Sequence, residues 1–354
     1  MPVARYALSG AIRGLRAFLN LEAGVVRGGA AATEQDHEIK RVRSLLAARD
    51  QELAELRMRL AGEGGARVDG VRSENIIWIF GTGRSGNTWV ASMMGEMGHA
   101  VWREPSIGRL FGDFYYFHAR EGQRGTGNFV LGEKQRTTWV RSIRNFVLEG
   151  ASGRFPHLED RCLVIKEQVG SVGAPLLMEA LPESRMILLV RDPRDVVASW
   201  VNASRKGAWR HERLSKGNHE WRPLADEATD AFIEDRANAY LNSVGKGKQA
   251  YDKHEGHKVL VRYEDLRADT MGTMKRVYAH LAMEVDEEKF SQAVAKHAWE
   301  NVPEENKGEG KFHRKATPGG WQEDLTPEQA RTVERITAPL LEEFYSDRSA
   351  WRTR

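Results

Sequence analysis

Between Asn75 and Val90 an apolar run, Asn-Ile-Ile-Trp-Ile-Phe, breaks into Gly81-Thr-Gly-Arg84-Ser85-Gly86-Asn87-Thr88 and then Trp89-Val-Ala. A buried strand, a glycine-rich turn and a helix N-terminus produce that order. Such a loop turns backbone N–H groups toward a phosphate, and the helix dipole adds partial positive charge. Gly81 and Gly86 have the Walker A separation and Thr88 holds the Ser/Thr place, but position 87 is Asn where triphosphate chemistry uses Lys. The cation stands inside the loop, at Arg84. The loop therefore suits a phosphate and lacks the charge that γ-phosphoryl transfer uses.

Three further runs carry groups that could react or bind beside it. Glu104 lies twenty residues after Arg84, just past the short strand-like run His99-Ala-Val-Trp102, and in open α/β sheets ligands bind at strand ends. Arg161-Cys-Leu-Val-Ile-Lys166 reads as a strand ending in a cation, followed by Glu167 and Gln168. Arg185-Met-Ile-Leu-Leu-Val190 is the most continuous apolar run and reads as a central parallel strand. It leads into Arg191-Asp-Pro-Arg-Asp-Val-Val-Ala-Ser199, where Asp192 can cap a helix with Pro193 at its first position. Arg191 precedes that turn and Ser199 lies about two helical turns into it, so both can face one pocket.

Arg84-Ser-Gly-Asn-Thr-Trp89 resembles the loop that binds the 5′-phosphate side of 3′-phosphoadenosine 5′-phosphosulfate (PAPS) in sulfotransferases. Cytosolic members carry Lys-Ser-Gly-Thr-Thr-Trp there; Golgi and bacterial members often carry Arg-Ser-Gly. The run from Arg191 to Ser199 resembles their 3′-phosphate motif, Arg-(Asn or Asp)-Pro-x-Asp with Ser eight residues after the Arg. The run from Lys311 to Thr326 is similar to Arg-Lys-Gly-x-x-Gly-Asp-Trp-Lys-Asn-x-Phe-Thr, with Arg314, Lys315, Gly319, Trp321 and Thr326 in register. Ala316 replaces the family's first glycine and keeps a usable N–H provided its φ is negative. Lys258 to Leu266 reads as one more strand, whose Tyr263-Glu-Asp-Leu resembles a structural run of the family. The resemblance covers roughly residues 73–346.

This resemblance implies an α/β fold of the P-loop NTPase-like kind, a three-layer sandwich with a central parallel sheet, preceded here by an N-terminal helical or coiled-coil segment. It implies transfer of a sulfonate from PAPS to an acceptor hydroxyl or amine, on a saccharide, glycan or other small molecule, with release of adenosine 3′,5′-bisphosphate (PAP). No metal is implied, because the transferring sulfonate carries less negative charge than a γ-phosphoryl. The cytosolic Lys-Thr-His is here Lys166-Glu167-Gln168, and the missing His puts the base role on Glu104, with Glu167 as second candidate. Strand alternation points Glu167 away from Lys166. Lys166 and Arg84 would stabilise charge on the sulfonate and the leaving phosphate. Ser85, Gly86, Asn87 and Thr88 would cradle the 5′-phosphate. Arg191, Ser199, Arg314 and Lys315 would hold the 3′-phosphate, and Trp89 and Trp299 would sandwich the adenine. Two other classes share parts of the pattern: a P-loop kinase, favoured by Gly81 and Gly86 and opposed by Asn87, and a non-catalytic coiled-coil scaffold sensing adenosine bisphosphate.

The rest of the chain must position these groups. With 354 residues, 41% of them hydrophobic, it can build one large α/β domain plus an appendage. A net charge of +3 gives no case for nucleic acid, so anion recognition rests on local clusters. The single cysteine, Cys162, reads as a core thiol, and no Cys/His spacing resembles a zinc site. No apolar run has the length that spans a bilayer, and a reducing, cytoplasmic setting is expected. In residues 1–32, Leu8, Ile12, Leu15 and Leu19 share one helical face, and Arg5, Arg13 and Arg16 precede the first acid, Glu22. A membrane-surface helix through residues 1–20, a mitochondrial presequence and a frayed terminus all fit. In residues 33–61, Ile39, Val42, Leu46, Arg49, Leu53, Leu56 and Leu60 alternate steps of three and four, a heptad seam with one polar member. Glycine-rich residues 62–72 read as a linker, and 73–354 as the main domain. Phe111 to Arg124 fits an acceptor lid or an aromatic-faced helix. Ser204 to Pro223, basic and with two tryptophans, fits an acceptor contact or a solvated insertion.

The seam predicts a homodimer through residues 39–60. Deleting residues 1–65 should lower the mass seen by light scattering to that of one chain while PAPS binding persists. An unchanged mass discards the seam.

Overall fold

The computed structural model describes residues 39–45, 49, 70–112, 114, 130–158, 161–215 and 228–346. The chain divides into two units, Met1–Val68 and Asp69–Arg354. In the first, residues 39–45 and 49 are helical and Leu45 is exposed. The remainder of the expected seam, and all of residues 1–32, lie outside the described residues. The second unit starts ahead of Ser73. Val71 is buried, and its N–H donates to Ser152 Oγ at 2.9 Å, so the end of the glycine-rich stretch packs on the domain.

Five apolar runs become strands: β1 Ile76–Gly81, β2 Ala100–Arg103, β3 Leu163–Lys166, β4 Arg185–Val190 and β5 Lys258–Arg262. They pair in the order β2-β3-β1-β4-β5, every pair parallel. The innermost runs are continuously apolar because helices cover both faces. Ile76, Trp78, Phe80, Met186, Leu188 and Val190 face one side. There they pack with residues of the helices Arg136–Arg154 (α3), Ala174–Ala180 (α4), Asp230–Lys253 (α7) and Pro327–Tyr345 (α12). Ile77, Ile79, Ile187 and Leu189 face the other. That side is covered by Asn87–Glu96 (α1), Thr270–His280 (α9) and Glu287–Lys296 (α10). The result is the expected three-layer α/β architecture. Trp78 is fully buried, stacks on Phe80 at 5.5 Å and donates its indole N–H to Ser184 Oγ at 3.1 Å.

The remaining helices are Ile107–Gly112 (α2), Pro193–Ser204 (α5), Trp209–Ser215 (α6), Tyr263–Ala268 (α8) and Trp321–Asp324 (α11). One expectation is corrected here. The run from Lys258 to Leu266 is not all strand: β5 stops at Arg262 and Tyr263 opens α8. Arg262 pairs with Val190, the last residue of β4, so the ladder ends there. Glu264 and Asp265 then fall in the first helical turn, where acidic side chains complement the dipole. The aromatic run from Phe111 lies mostly outside the described residues. The basic run after Ser204 is described only through α6.

Candidate active site

The loop after β1 is shaped by close contacts. A Cβ on Gly81 would meet the Leu189 carbonyl at 2.3 Å, and one on Gly83 would meet the Trp200 ring at 2.6 Å. Gly86, at φ +95°, caps α1, and a Cβ there would strike the Tyr263 ring at 2.9 Å. Asn87 is buried and donates its amide N–H to the Thr82 carbonyl at 3.0 Å. It closes the loop on itself, whereas a lysine at this place in a nucleotide triphosphatase reaches the phosphates.

The strand ends open onto a cleft of about 1030 Å³. The sequence-selected residues Arg84, Gly86, Asn87, Thr88, Trp89, Glu104, Lys166, Arg191, Ser199, Trp299, Arg314 and Lys315 all line it. Ser85 is the exception. It is fully enclosed, and its Oγ has no partner among the described residues.

Two groups of charge stand in this cleft. In the first, Lys166 Nζ lies 2.6 Å from Glu104 Oε1 and 3.3 Å from Thr88 Oγ1, which ties the ends of β2 and β3 to the start of α1. The other Glu104 oxygen accepts the Val169 N–H at 3.3 Å. Glu167, the alternative base, is fully buried behind the strand and accepts the Ile107 N–H at 2.7 Å.

In the second group Arg84, expected at the sulfonate, lies with the 3′-phosphate candidates. Its Nε donates to Ser199 Oγ at 2.9 Å and its Nη2 to the Phe312 carbonyl at 2.8 Å. Its guanidinium sits over the Phe312 and Trp209 rings, at 4.8 and 5.4 Å from their centroids. Burial, then the Arg191 charge, with Arg314 adding to it, pull its pKa down to about 10, so it remains a cation at neutral pH. Arg191 donates to the Arg84 carbonyl at 3.0 Å and lies over the Tyr263 ring at 4.2 Å. Arg314 and Lys315 are already paired, Arg314 with Asp324 and Lys315 with Glu323, each at 2.5 Å. Ala316 departs from expectation: its φ is +51°, so it takes the conformation that the glycine it replaces would adopt without strain.

The cleft fits an anionic nucleotide. Guanidinium groups converge from three separate chain segments, and the Arg191 Nε and Trp89 Nε1 donors are buried without a partner among the described residues. Buried donors of this kind ordinarily have an acceptor. Trp89 meets Tyr263 edge-on at 6.4 Å, and Trp299 lies 6.4 Å from His313.

Three residues that position this site had little or no sequence signal. Tyr263 supports Arg191 and Trp89, although its run suggests a merely structural part. Asp195, the second Asp of Arg-Asp-Pro-x-Asp, is buried and accepts the Gly319 and Trp321 N–H groups at 2.8 and 2.9 Å, which hooks the third motif onto the second. Ser171 accepts the Gly81 N–H at 2.9 Å from ninety residues away, and nothing local in the sequence marks it.

The family model for the sulfotransferase domain matches residues 74–345. The omega-hydroxy-beta-dihydromenaquinone-9 sulfotransferase Stf3 of Mycobacterium bovis is 25% identical over 153 residues, covering 43% of this chain and 36% of that protein. The chain thus spans about a third of the length of the curated relatives it matches. Among solved structures, mouse sulfotransferase SULT7A1 complexed with PAP is 14% identical, with a TM-score of 0.47, over 78% of this chain and 88% of that one. Sulfotransferase STF9 from Mycobacterium avium is 15% identical, with a TM-score of 0.45, over 78% of each chain.

Burial pushes the Glu167 carboxyl up from 4.5 to about 7, with the Ile107 N–H opposing and the Glu104 charge adding. The folded protein therefore holds this proton more tightly than the unfolded chain does. The stability this contributes is full below about pH 4.5 and is lost as the pH rises to about 7, on the order of 3 kcal/mol in total. Urea unfolding at pH 5 and pH 7.5 should show that decline in the wild type and a smaller one in Glu167→Gln. Equal declines would show that Glu167 does not titrate in this range.

Proposed function

The chain belongs to the sulfotransferase domain family, and we propose that it moves a sulfonate from PAPS to an acceptor hydroxyl on a small molecule, releasing PAP. The observation that carries this reading is the carboxylate–ammonium pair of Glu104 and Lys166, held at the strand ends beside Thr88. Glu104 is the carboxylate placed to take the acceptor's proton as the acceptor oxygen bonds to sulfur and the bond from sulfur to the leaving phosphate oxygen breaks. An ammonium has three donors. One of them serves Thr88, the charge pairs with Glu104, and a remaining donor suits the oxygens of the sulfonate. Arg191, Ser199, Arg314 and Lys315 suit the 3′-phosphate, and the backbone of the loop from Ser85 to Thr88 suits the 5′ side. Asn87 argues against a kinase, because its side chain is spent on the Thr82 carbonyl. The hydroxylated quinone in the name of the mycobacterial relative supports an alcohol as acceptor.

A screen for ³⁵S transfer from labelled PAPS into a cell extract tests the reading and yields the acceptor. Absence of transfer to any component, together with hydrolysis of ATP, would favour the kinase. With an acceptor in hand, Glu104→Gln should keep PAPS affinity and lose turnover by roughly 10²–10⁴-fold, the usual range for acid–base catalysis. Wild-type single-turnover rates in that variant would remove Glu104 from the chemistry.

Arg191→Ala should weaken PAP far more than adenosine 5′-phosphosulfate in calorimetry. A lost charged donor is worth about 2 kcal/mol. Because Arg191 also supports the loop through the Arg84 carbonyl, equal losses for both nucleotides would assign it that supporting part alone.

A further inference from the structure

The turn that presents Glu104 is strained. Glu104 has φ +51° and Ser106 φ +61°, on either side of Pro105. Residues with a Cβ avoid this left-handed region, and two of them within three positions persist only where the surroundings hold them.

The exit of β3 grips both ends of that turn. At one end the Glu104 N–H donates to the Lys166 carbonyl at 2.9 Å. At the other, the Ile107 N–H donates to Glu167 Oε1 at 2.7 Å. Glu167 itself is anchored, since its own N–H donates to the Ile79 carbonyl at 3.0 Å in β1. Ser171 Oγ donates to the Glu167 carbonyl at 2.7 Å and accepts from Gly81, which joins this anchor to the phosphate loop. The carboxylate is walled in by glycines. A Cβ on Gly170 would lie 1.8 Å from Glu167 Oε2, and one on Gly108 would lie 2.0 Å from the Gly170 carbonyl. The α2 helix and the Gly170–Gly173 turn thus meet backbone to backbone around a side chain that has no exposed surface.

We propose that Glu167 is a positioning residue: its enclosed carboxylate clamps the turn from Glu104 to Ser106, so that the Glu104 carboxylate stays beside Lys166. The inference rests on reading Glu104 as the acceptor of the proton. Glu167 cannot take that part itself, because it is sealed from the cleft. Glu104 is the charged group that faces it, and Lys166 is paired to Glu104. The α2 helix faces it with Ile107 and Gly108, while Arg109 of that helix is exposed; the Gly170–Gly173 turn brings Ser171, and β1 brings the Ile79 carbonyl. None of the groups facing it from α2, that turn or β1 titrates. Burial holds the Glu167 proton up to about pH 7. Above that pH the ionised carboxylate is the stronger acceptor for the Ile107 N–H, so turnover should rise through pH 7.

The test compares Glu167→Ala and Glu167→Gln in the full-length protein. The measurements are exchange of the Ile107 amide, PAP affinity, and kcat and KM with the acceptor from the labelled-PAPS screen. Glu167→Ala should speed Ile107 exchange and lower kcat about 10²-fold, the cost of a misplacement near ~1 Å. PAP affinity and the KM for PAPS should stay within about twofold, inside the factor of ten that 1.4 kcal/mol represents. Glu167→Gln keeps an acceptor oxygen, so it should recover most of kcat and lose the rise through pH 7. Wild-type kcat or unchanged Ile107 exchange in Glu167→Ala overturns the clamp. So does a Gln variant as inactive as the Ala variant, since the charge and not the grip would then matter. The exchange measurement needs no turnover. Faster Ile107 exchange in a protein that transfers no sulfonate keeps the clamp and sinks the functional reading alone.

Discussion

The parallel register of β2, β3 and β1 is the constraint on which the site depends. Arg103 pairs with Lys166, and Lys166 pairs with Ile79, so β2 and β3 end at one level and β1 runs two residues further into the phosphate-type loop. The ladder continues one step past each end, through the Glu104 N–H to Lys166 and the Glu167 N–H to Ile79. This brings a carboxylate, an ammonium and the first turn of α1 to one edge of the sheet. Side chains alternate along a strand, so Lys166 faces the cleft and Glu167 faces the packed interior. A slip of one residue would exchange them and destroy both the pair and the anchor.

Around that edge, buried carboxylates join segments far apart in sequence. Asp195 holds the Gly319–Trp321 backbone. Glu264 accepts the Asp192 N–H at 2.9 Å and the Tyr345 hydroxyl at 3.0 Å. Glu167 holds Ile107. Burial raises the pKa of all three. A buried carboxylate is costly unless its oxygens are satisfied. Here a backbone N–H serves at least one oxygen of each carboxylate, the Tyr345 hydroxyl serves the second oxygen of Glu264, and Glu167 Oε2 has no partner among the described residues. Tyr240 completes the frame by donating its hydroxyl to the Arg191 carbonyl at 2.8 Å.

The 3′-phosphate candidates stand in a balanced field. The Arg314 pair with Asp324 is largely shielded from water, while the Lys315 pair with Glu323 is open. An exposed pair of that kind contributes little by itself. A phosphate bound there would exchange partners with carboxylates already present, and only the difference between the two sets of contacts would appear as affinity. Asn87 and the absence of a loop lysine fit the same economy of charge, since a sulfonate donor asks for less compensation than a nucleoside triphosphate.

The strands, the phosphate-type turn and the Asp192 cap with Pro193 were legible in the chain, because each depends on residues a few positions apart. The three motifs were legible for the same reason, and the site residues selected with them line the cleft, Ser85 excepted, although Trp200, Arg267 and His297 line it as well and were not marked. The sequence could not say that Tyr263 begins a helix, since that follows from where β4 stops offering partners. Nor could it place the Arg84 guanidinium among Ser199, Phe312 and Trp209, residues more than a hundred positions away. The positive φ of Ala316 overrides a local preference and becomes visible only in the folded chain. Spacing alone suggested that Glu104 and Glu167 differ in direction. Only the tertiary structure decided that one meets Lys166 in a cleft while the other is enclosed by glycines, because hydrogen bonds between neighbouring strands, not neighbours in sequence, set that geometry.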